Sequence, residues 1–459
     1  MLYERRMATM QDQIRIVIEE LTRLQTVPAP YRDKDDDFPL PRMISAGNGD
    51  SIIVSRKIDD TIIMVADQMM TADSSLSSKV TRAEWWALVR QAFGPALAMI
   101  DLDVDPSENA KTVLTEIKTV LSKHVTDYGM REFAFGCTLF GNIAIKPFSI
   151  GPVHFESRLE WLARKRANGA VSATTRRRVE QAWSGKRLGK RKPSADSLCE
   201  TDILDAIGSC PFVCSVTTTG LAAEGGREKA LTAARLAIAA VALLWATPSR
   251  ALEGMNLLFD RRIHRQKSLS SIPGKIVLAG SRWSHMPHGS WLKNGEWETE
   301  FAKYQDHFCV VGEILDYVID ATGNVARPKM MNALAQALLW FHEGCRETVT
   351  LMAIVKYSAA LDALACGGKS AGIRRLINAR LGIQDSEPIR QNGPTLTQAV
   401  DEIYSDGRSR TIHGTNEKFI HDWSGTKGLA EQFAHRCLFL CIDWAAKNPS
   451  SDEPRRLSQ

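Results

Sequence analysis

No apolar run in the chain is long enough to cross a bilayer as a helix. The best candidate, Ala230–Ala246, is interrupted by Arg235, and the eleven apolar residues from Leu236 to Ala246 fall well short of a span. That segment is expected to be a buried helix, and no membrane partner is expected. Paired CxxC motifs are also missing, which excludes a zinc knuckle. The nine cysteines are scattered, and the close pairs Cys210/Cys214 and Cys437/Cys441 are both CxxxC, a spacing that suits one helix face. All nine are expected to be reduced thiols in a cytoplasmic protein. Gly220 and Gly225-Gly226 fit neither GxxxxGK[ST] nor GxGxxG, so no nucleotide loop is expected. His285 and His288 lie among Trp283, Trp291 and Trp297 without carboxylate or thiolate neighbours, a poor metal set. Packing or a loop surface is the better expectation. No cofactor and no metal are expected.

What is present fits a globular protein with a sizeable core. The chain has 459 residues, 44% of them hydrophobic and 24% charged, room for two to four domains. The net charge of +5 is unevenly placed. Between Arg158 and Pro193 twelve Lys/Arg face two Glu, so the remainder of the chain carries about −5.

The chain divides into five stretches by pattern. Residues 1–42 predict an amphipathic helix rather than a signal peptide, with Ile14, Ile16, Val17, Ile18, Leu21 and Leu24 on its apolar face, then a linker of Pro28, Pro30, the acidic run Asp33–Asp37, Pro39 and Pro41. Residues 43–157 predict a mixed α/β or α+β domain. Ser51–Ser55 and Asp60–Val65 suggest a hairpin, Trp85–Ile100 and Asn109–His124 helices, and Phe133–Ile145 a strand. Residues 158–202 form a basic helix and loop. Residues 203–325 predict a second α/β unit with strands at Pro211–Thr219 and Gly274–Ala279 around the helix Glu228–Trp245. Residues 326–459 predict an all-α bundle of about four to six helices: Met331–His342, Cys345–Ala365 broken by Gly367-Gly368, Ala371–Leu381, Thr395–Tyr404 and Gly428–Ala446. The last carries Leu429, Phe433, Cys437, Leu440 and Trp444 on one face. The fold class is therefore α+β, mixed α/β before a helical bundle.

Two features point to nucleic acid. The basic stretch holds Arg164, Lys165, Arg166, Arg176, Arg177, Arg178, Lys186, Arg187, Lys190, Arg191 and Lys192, interleaved with Trp161 and Trp183. Cations neutralise phosphates and aromatic rings stack on bases, so these residues are candidate nucleic-acid contacts; a solvated helix and loop is the competing reading. The second feature is the segment Tyr404–Gly414, which sets Arg408 and His413 five positions apart between Gly407 and Gly414. Arginine grips a phosphate with a planar fork of donors, and histidine, as a residue type, moves protons near neutral pH. On a regular α-helix five positions turn about 140°, so the two side chains would diverge. Either the helix distorts near Gly407, or two copies meet and pool residues across an isologous interface. Without chemistry, His413 would cap or pack within the bundle and Arg408 would pair with Asp401 or Asp406. His421 and His435 are expected to be structural or surface residues.

The pattern Tyr404-x3-Arg408-Ser-x3-His413-Gly414 resembles the signature of HEPN domains, in particular their Apea-like branch, over roughly Ala326–Asn448. Asp362 stands where that family often has an acidic residue. The first two-thirds of the chain resembles defence-associated proteins only in outline. The resemblance implies a metal-independent endoribonuclease, a toxin or phage-defence (abortive-infection) effector. It would act on RNA, tRNA included, as a homodimer or higher oligomer. Arg408 would bind phosphate and His413 would serve as general base or acid. Ser409 stands where the family often has Asn, Arg410 would add a phosphate contact, and Tyr404 and Asp362 would support the site. Restraint by the N-terminal region, and an activating phage component or regulatory partner, are implied with it. The alternative is a non-catalytic HEPN-like scaffold or nucleic-acid-binding protein. A DNA-binding regulator is a further rival, without a helix-turn-helix or zinc signature to support it.

Overall fold

The computed structural model describes residues 8–26, 42–126, 128–142, 144–260, 265–283, 292–320, 323 and 325–459. The fold is mixed α/β, 62% helical, with small antiparallel sheets. The chain divides into two compact units, one of Met1–Arg131 with Thr218–Glu228, the other of Glu132–Thr217 with Lys229–Gln459.

The first unit is a helical cluster with one short hairpin. Its elements are α1 (Met10–Thr26), β1 (Arg42–Ser45), β2 (Ser51–Val54), α2 (Arg56–Ala72), α3 (Leu76–Lys79), α4 (Arg82–Ala98) and α5 (Pro106–Thr126). Helix α1 buries Ile14, Val17, Ile18 and Leu21 at helical spacing. The second hairpin strand expected at Asp60–Val65 is helix instead. Ile58, Thr61, Ile62, Val65, Ala66 and Met69 recur every three or four residues and form the buried face of α2. That period outweighs the local β-branched run. Strand β2 pairs with β1, Arg42 opposite Val54 and Ser45 opposite Ser51. The pair lies close on α4 because Gly94 has no side chain; a Cβ there would sit 1.8 Å from the Ser45 carbonyl oxygen.

The second unit holds a five-stranded sheet of β3 (Met130–Thr138), β4 (Phe148–Ile150), β5 (Val153–Ser157), β6 (Phe212–Thr219) and β7 (Asn256–Leu257), in the order β4-β5-β6-β3-β7. Between β5 and β6 run α6 (Arg158–Ala167), α7 (Ala173–Trp183) and α8 (Ala195–Ile207). Then come α9 (Ala223–Ala242), α10 (Pro248–Gly254) and the hairpin β8 (Arg265–Ile272) with β9 (Lys275–Trp283). Helix α9 is buried along Leu236–Leu243, as expected of the apolar run, and Arg235 within it pairs with Asp260. Among the described residues no single helix is long and apolar enough to cross a membrane. Trp297 on α11 (Glu296–Lys303) is buried among Phe140, Phe148 and Phe301; His285, His288 and Trp291 lie outside the described residues.

The bundle comprises α12 (Gln305–Ile319), α13 (Pro328–Cys345), α14 (Thr350–Leu364), α15 (Lys369–Leu381), α16 (Leu396–Asp401), a π-helical segment (Glu402–Ser409), α17 (Arg410–Ile412) and α18 (Ser424–Lys447). It takes in α12, upstream of residue 326. Helix α14 is its centre, packed against α13, α18 and the π-helical segment. Cys345 ends α13 rather than opening α14, and Gly368, with φ +92°, begins α15 after the Gly-Gly break. Arg327, buried at 2% exposure, ties the start of α13 to the end of α18. Its Nε and Nη2 donate to Glu313 at 2.7 and 2.8 Å, and its Nη1 donates to the Ala445 carbonyl at 2.7 Å. The nine cysteines are free thiols. Cys437 and Cys441 share the buried face of α18, whereas Cys210 and Cys214 lie at and in strand β6, not on a helix.

Candidate functional site

The Arg408/His413 segment begins with a capping box. Thr395 Oγ1 accepts from the Gln398 amide at 3.3 Å, and Gln398 Oε1 accepts from the Thr395 amide at 3.0 Å. Leu396, Ala399, Val400 and Ile403 are then buried on the bundle side. From Glu402 to Ser409 the helix widens to π geometry. A π turn closes its hydrogen bonds over five residues, and such turns recur at functional sites. The distortion near Gly407, one of the two alternatives raised by the five-residue spacing, is thus present. Gly407 is where the segment presses on α14; a Cβ there would meet Ile354 Cγ2 at 2.7 Å.

Arg408 leaves the π segment pointing back at Tyr404 and across to α14. Its Nη1 donates to Tyr404 Oη at 2.8 Å, and its guanidinium carbon lies 4.9 Å from the centre of the Tyr404 ring. Its Nη2 is 3.5 Å from Asp362 Oδ2. This is the partner it takes, rather than Asp401, which pairs with Arg374, or Asp406. Arg408 Nε and Asp362 Oδ1 are both buried without a hydrogen-bond partner. Buried polar atoms are nearly always satisfied, so this pair keeps one donor and one acceptor unspent among the described residues.

His413 closes α17. Its amide donates to the Ser409 carbonyl at 3.0 Å, and the chain reverses at Gly414, where φ is +71°. The imidazole is exposed and forms no hydrogen bond or ion pair among the described residues; His413 is the C-cap of α17 through its backbone, and its side chain does not pack within the bundle. Arg410 does not add a free cation: its Nη1 is 3.1 Å from Asp406, which also holds Lys418 at 3.2 Å. Ser409 is half-buried, with no side-chain bond among the described residues. Asn416 escaped the sequence reading. Its Nδ2 donates to the Asp406 carbonyl at 3.2 Å and to Thr411 Oγ1 at 2.8 Å, holding the loop after His413 against the π segment. An Asn two residues past a helix-ending glycine was its only signal. His435 is half-buried against the Leu243 carbonyl at 2.8 Å and His421 is exposed, both as expected.

The basic stretch separates into two sets. Arg164 forms ion pairs with Glu132 and Glu156, Lys165 with Glu132, Arg176 with Glu180, Arg178 with Glu200, and Arg191 with Asp196 and Glu200. These five candidate contacts are already paired with acids 4 to 33 residues away, and of those acids only Glu180 lies within Arg158–Pro193. Glu132 is held near pKa 2 by Arg164 and Lys165, against the burial that raises it. Trp161 is no stacking platform either. It is buried at 6% exposure with Leu162, Val179 and Ile203, and Trp183 is half-buried under the Arg158 guanidinium at 5.0 Å. Arg166, Arg177, Lys186, Arg187, Lys190 and Lys192 remain exposed, without side-chain partners among the described residues.

Among the described residues no three His, Cys, Asp or Glu side chains converge to hold a metal ion. No family model, curated protein or solved structure matches the chain.

Proposed function

We propose that the protein is a metal-independent endoribonuclease of the HEPN type, with Arg408 and His413 as its catalytic residues. The observation that carries this reading is the Arg408 cluster: a guanidinium steered by Tyr404 and Asp362, with its Nε buried and unpartnered, five residues from an exposed imidazole. An arginine so placed would hold a phosphate through its remaining donors and stabilise the charge that gathers on the phosphoryl oxygens. His413 would take the proton from a ribose 2′-hydroxyl, whose oxygen attacks the adjacent phosphorus in line. The 5′-oxygen leaves and is protonated by a second acid, for which the His413 of a second copy is the natural source. The products are a 2′,3′-cyclic phosphate and a 5′-hydroxyl end. The chain would work as a homodimer in the cytoplasm, as a phage-defence or toxin effector restrained by its N-terminal region. An RNA whose scissile nucleotide is 2′-deoxy tests the chemistry. It should resist cleavage at that position while neighbouring sites are still cut; cleavage at the deoxy position contradicts the mechanism.

A non-catalytic scaffold is favoured by one observation, that Arg408 already has a carboxylate and a phenol as partners. A mixture of Arg408→Ala and His413→Ala proteins separates the readings. A composite nuclease regains part of the activity that each variant lacks, and a scaffold gains nothing.

A further inference from the structure

The cations left over from the basic stretch are not a loose tail. Lys186, Arg187, Lys190 and Lys192 lie within seven residues of the connection from α7 to α8, and that connection is fastened at three points. The Lys186 amide donates to the Gln181 carbonyl at 3.0 Å. Arg178 Nη2 donates to the Gly189 carbonyl at 2.9 Å while its Nε holds Glu200 at 2.7 Å. Arg191 Nη1 donates to Glu200 at 2.9 Å and to Thr175 Oγ1 at 3.2 Å, and its Nη2 to Asp196 at 3.0 Å. Two arginines and two acids are thus spent inside the unit to hold a loop whose other four basic side chains are exposed, with no carboxylate on them among the described residues. Arg177 on α7 is exposed and without a partner in the same way.

We infer that this loop, with Arg177, is a preformed interface for the phosphate ladder of a nucleic-acid duplex, distinct from the Arg408 site and blind to base sequence. Three points argue for a duplex. The tryptophans that could have stacked on single-stranded bases are buried or covered by Arg158. A surface of cations without exposed rings reads backbone and not bases. A duplex carries about one negative charge per 1.7 Å of axis, the density best matched by four cations on so short a loop. Fixing the loop in advance spares the ordering cost that a flexible basic tail meets on binding.

The test is fluorescence anisotropy with the full-length protein and three labelled probes: a DNA duplex, a 2′-O-methyl RNA duplex and a 2′-O-methyl single strand, from 50 to 200 mM salt. None of these probes has a free 2′-hydroxyl, so binding is read whether or not the protein cleaves RNA, and the outcome is independent of the nuclease reading. Wild type is expected to prefer either duplex over the strand. Its slope of log K against log salt should be about −4.5, from roughly five phosphate contacts. Equal affinity for the two duplexes marks phosphate reading alone, and a preference between them marks DNA or RNA as the source. Replacing Lys186, Arg187, Lys190 and Lys192 with Ser should flatten the slope by about 3.6 and weaken binding at least tenfold. The charge-keeping variant K186R/K190R/K192R should bind like wild type. An unchanged slope in the Ser variant overturns the inference, as does wild-type binding to phosphatidylserine vesicles without binding to either duplex.

Discussion

Arg408 Nη2 stands 3.5 Å from Asp362 Oδ2, joining the π-helical segment to the central helix of the bundle by a single half-buried ion pair. The contact joins residues 46 positions apart in the chain. If Asp362 aims the guanidinium, Asp362→Ala should lower RNA cleavage by about 10²-fold, the order expected when a positioning group is lost. The fold should survive, since Arg408 keeps its hydrogen bond to Tyr404 Oη, and the loss of one partner from a pair this buried costs about 1–3 kcal/mol. Steady-state cleavage beside a thermal melt checks both halves. Faster cleavage by the variant would mean that Asp362 restrains Arg408 instead of aiming it.

Gly407 lets the π segment reach Ile354, so Gly407→Ala should push a methyl group into a packed contact. Overpacking of this kind costs about 1–3 kcal/mol. Urea denaturation would measure it, and the double variant Gly407→Ala/Ile354→Ala, which removes the Cγ2 that the new methyl meets, should cost less than the two single changes added together. A neutral Gly407→Ala would show that the segment has room to shift.

Arg327 is buried while its partner Glu313 is half-exposed. Arg327→Ala would leave the carbonyls of Ala445 and Asn448 without their donor and cost about 3 kcal/mol or more. A loss below 1 kcal/mol in chemical denaturation would show that water replaces the guanidinium there.

His307 on α12 is 2% exposed and stacked on Phe439 at 4.5 Å, with neither ring nitrogen hydrogen-bonded. Burial pulls its pKa down to about 4. The folded state therefore refuses a proton that the unfolded chain accepts near 6.5. Its contribution to stability is complete above that pH and falls by about 1.4 kcal/mol per unit as pH drops toward 4, where the loss levels off. His342 and His435, also shifted down by burial, act in the same direction. His307→Phe should flatten the decline between pH 6.5 and 4 in denaturant titrations. An unaltered pH profile would mean that His307 is protonated in the fold.

Helical period was the most legible property of the chain. The buried face of α1, the long helices around α9 and the bundle, and the Gly367-Gly368 break all follow from local spacing. The faces were less legible: Leu429, Leu440 and Trp444 of α18 are half-buried, while Ala434, Leu438 and Ile442 take the core positions. Asp60–Val65 misled because β-branched residues there also fall on a helical stripe. Partnerships across the chain were illegible for a plain reason. Glu132 and Glu200 quench arginines that no local charge count could pair with them, and Asp362 meets Arg408 only through the bundle. At the site, the five-residue spacing pointed to a distortion or a second copy; a π turn is present over Glu402–Ser409, and the chain from Arg410 to His413 is again α-helical.

The central claim is tested most directly by incubating wild type, Arg408→Ala and His413→Ala with total RNA and with tRNA in EDTA, and mapping the product ends. The account predicts cleavage by wild type with 2′,3′-cyclic phosphate and 5′-hydroxyl ends, and a loss of at least 10²-fold in either variant. Cleavage that persists in His413→Ala, or that leaves 3′-hydroxyl ends, would contradict it.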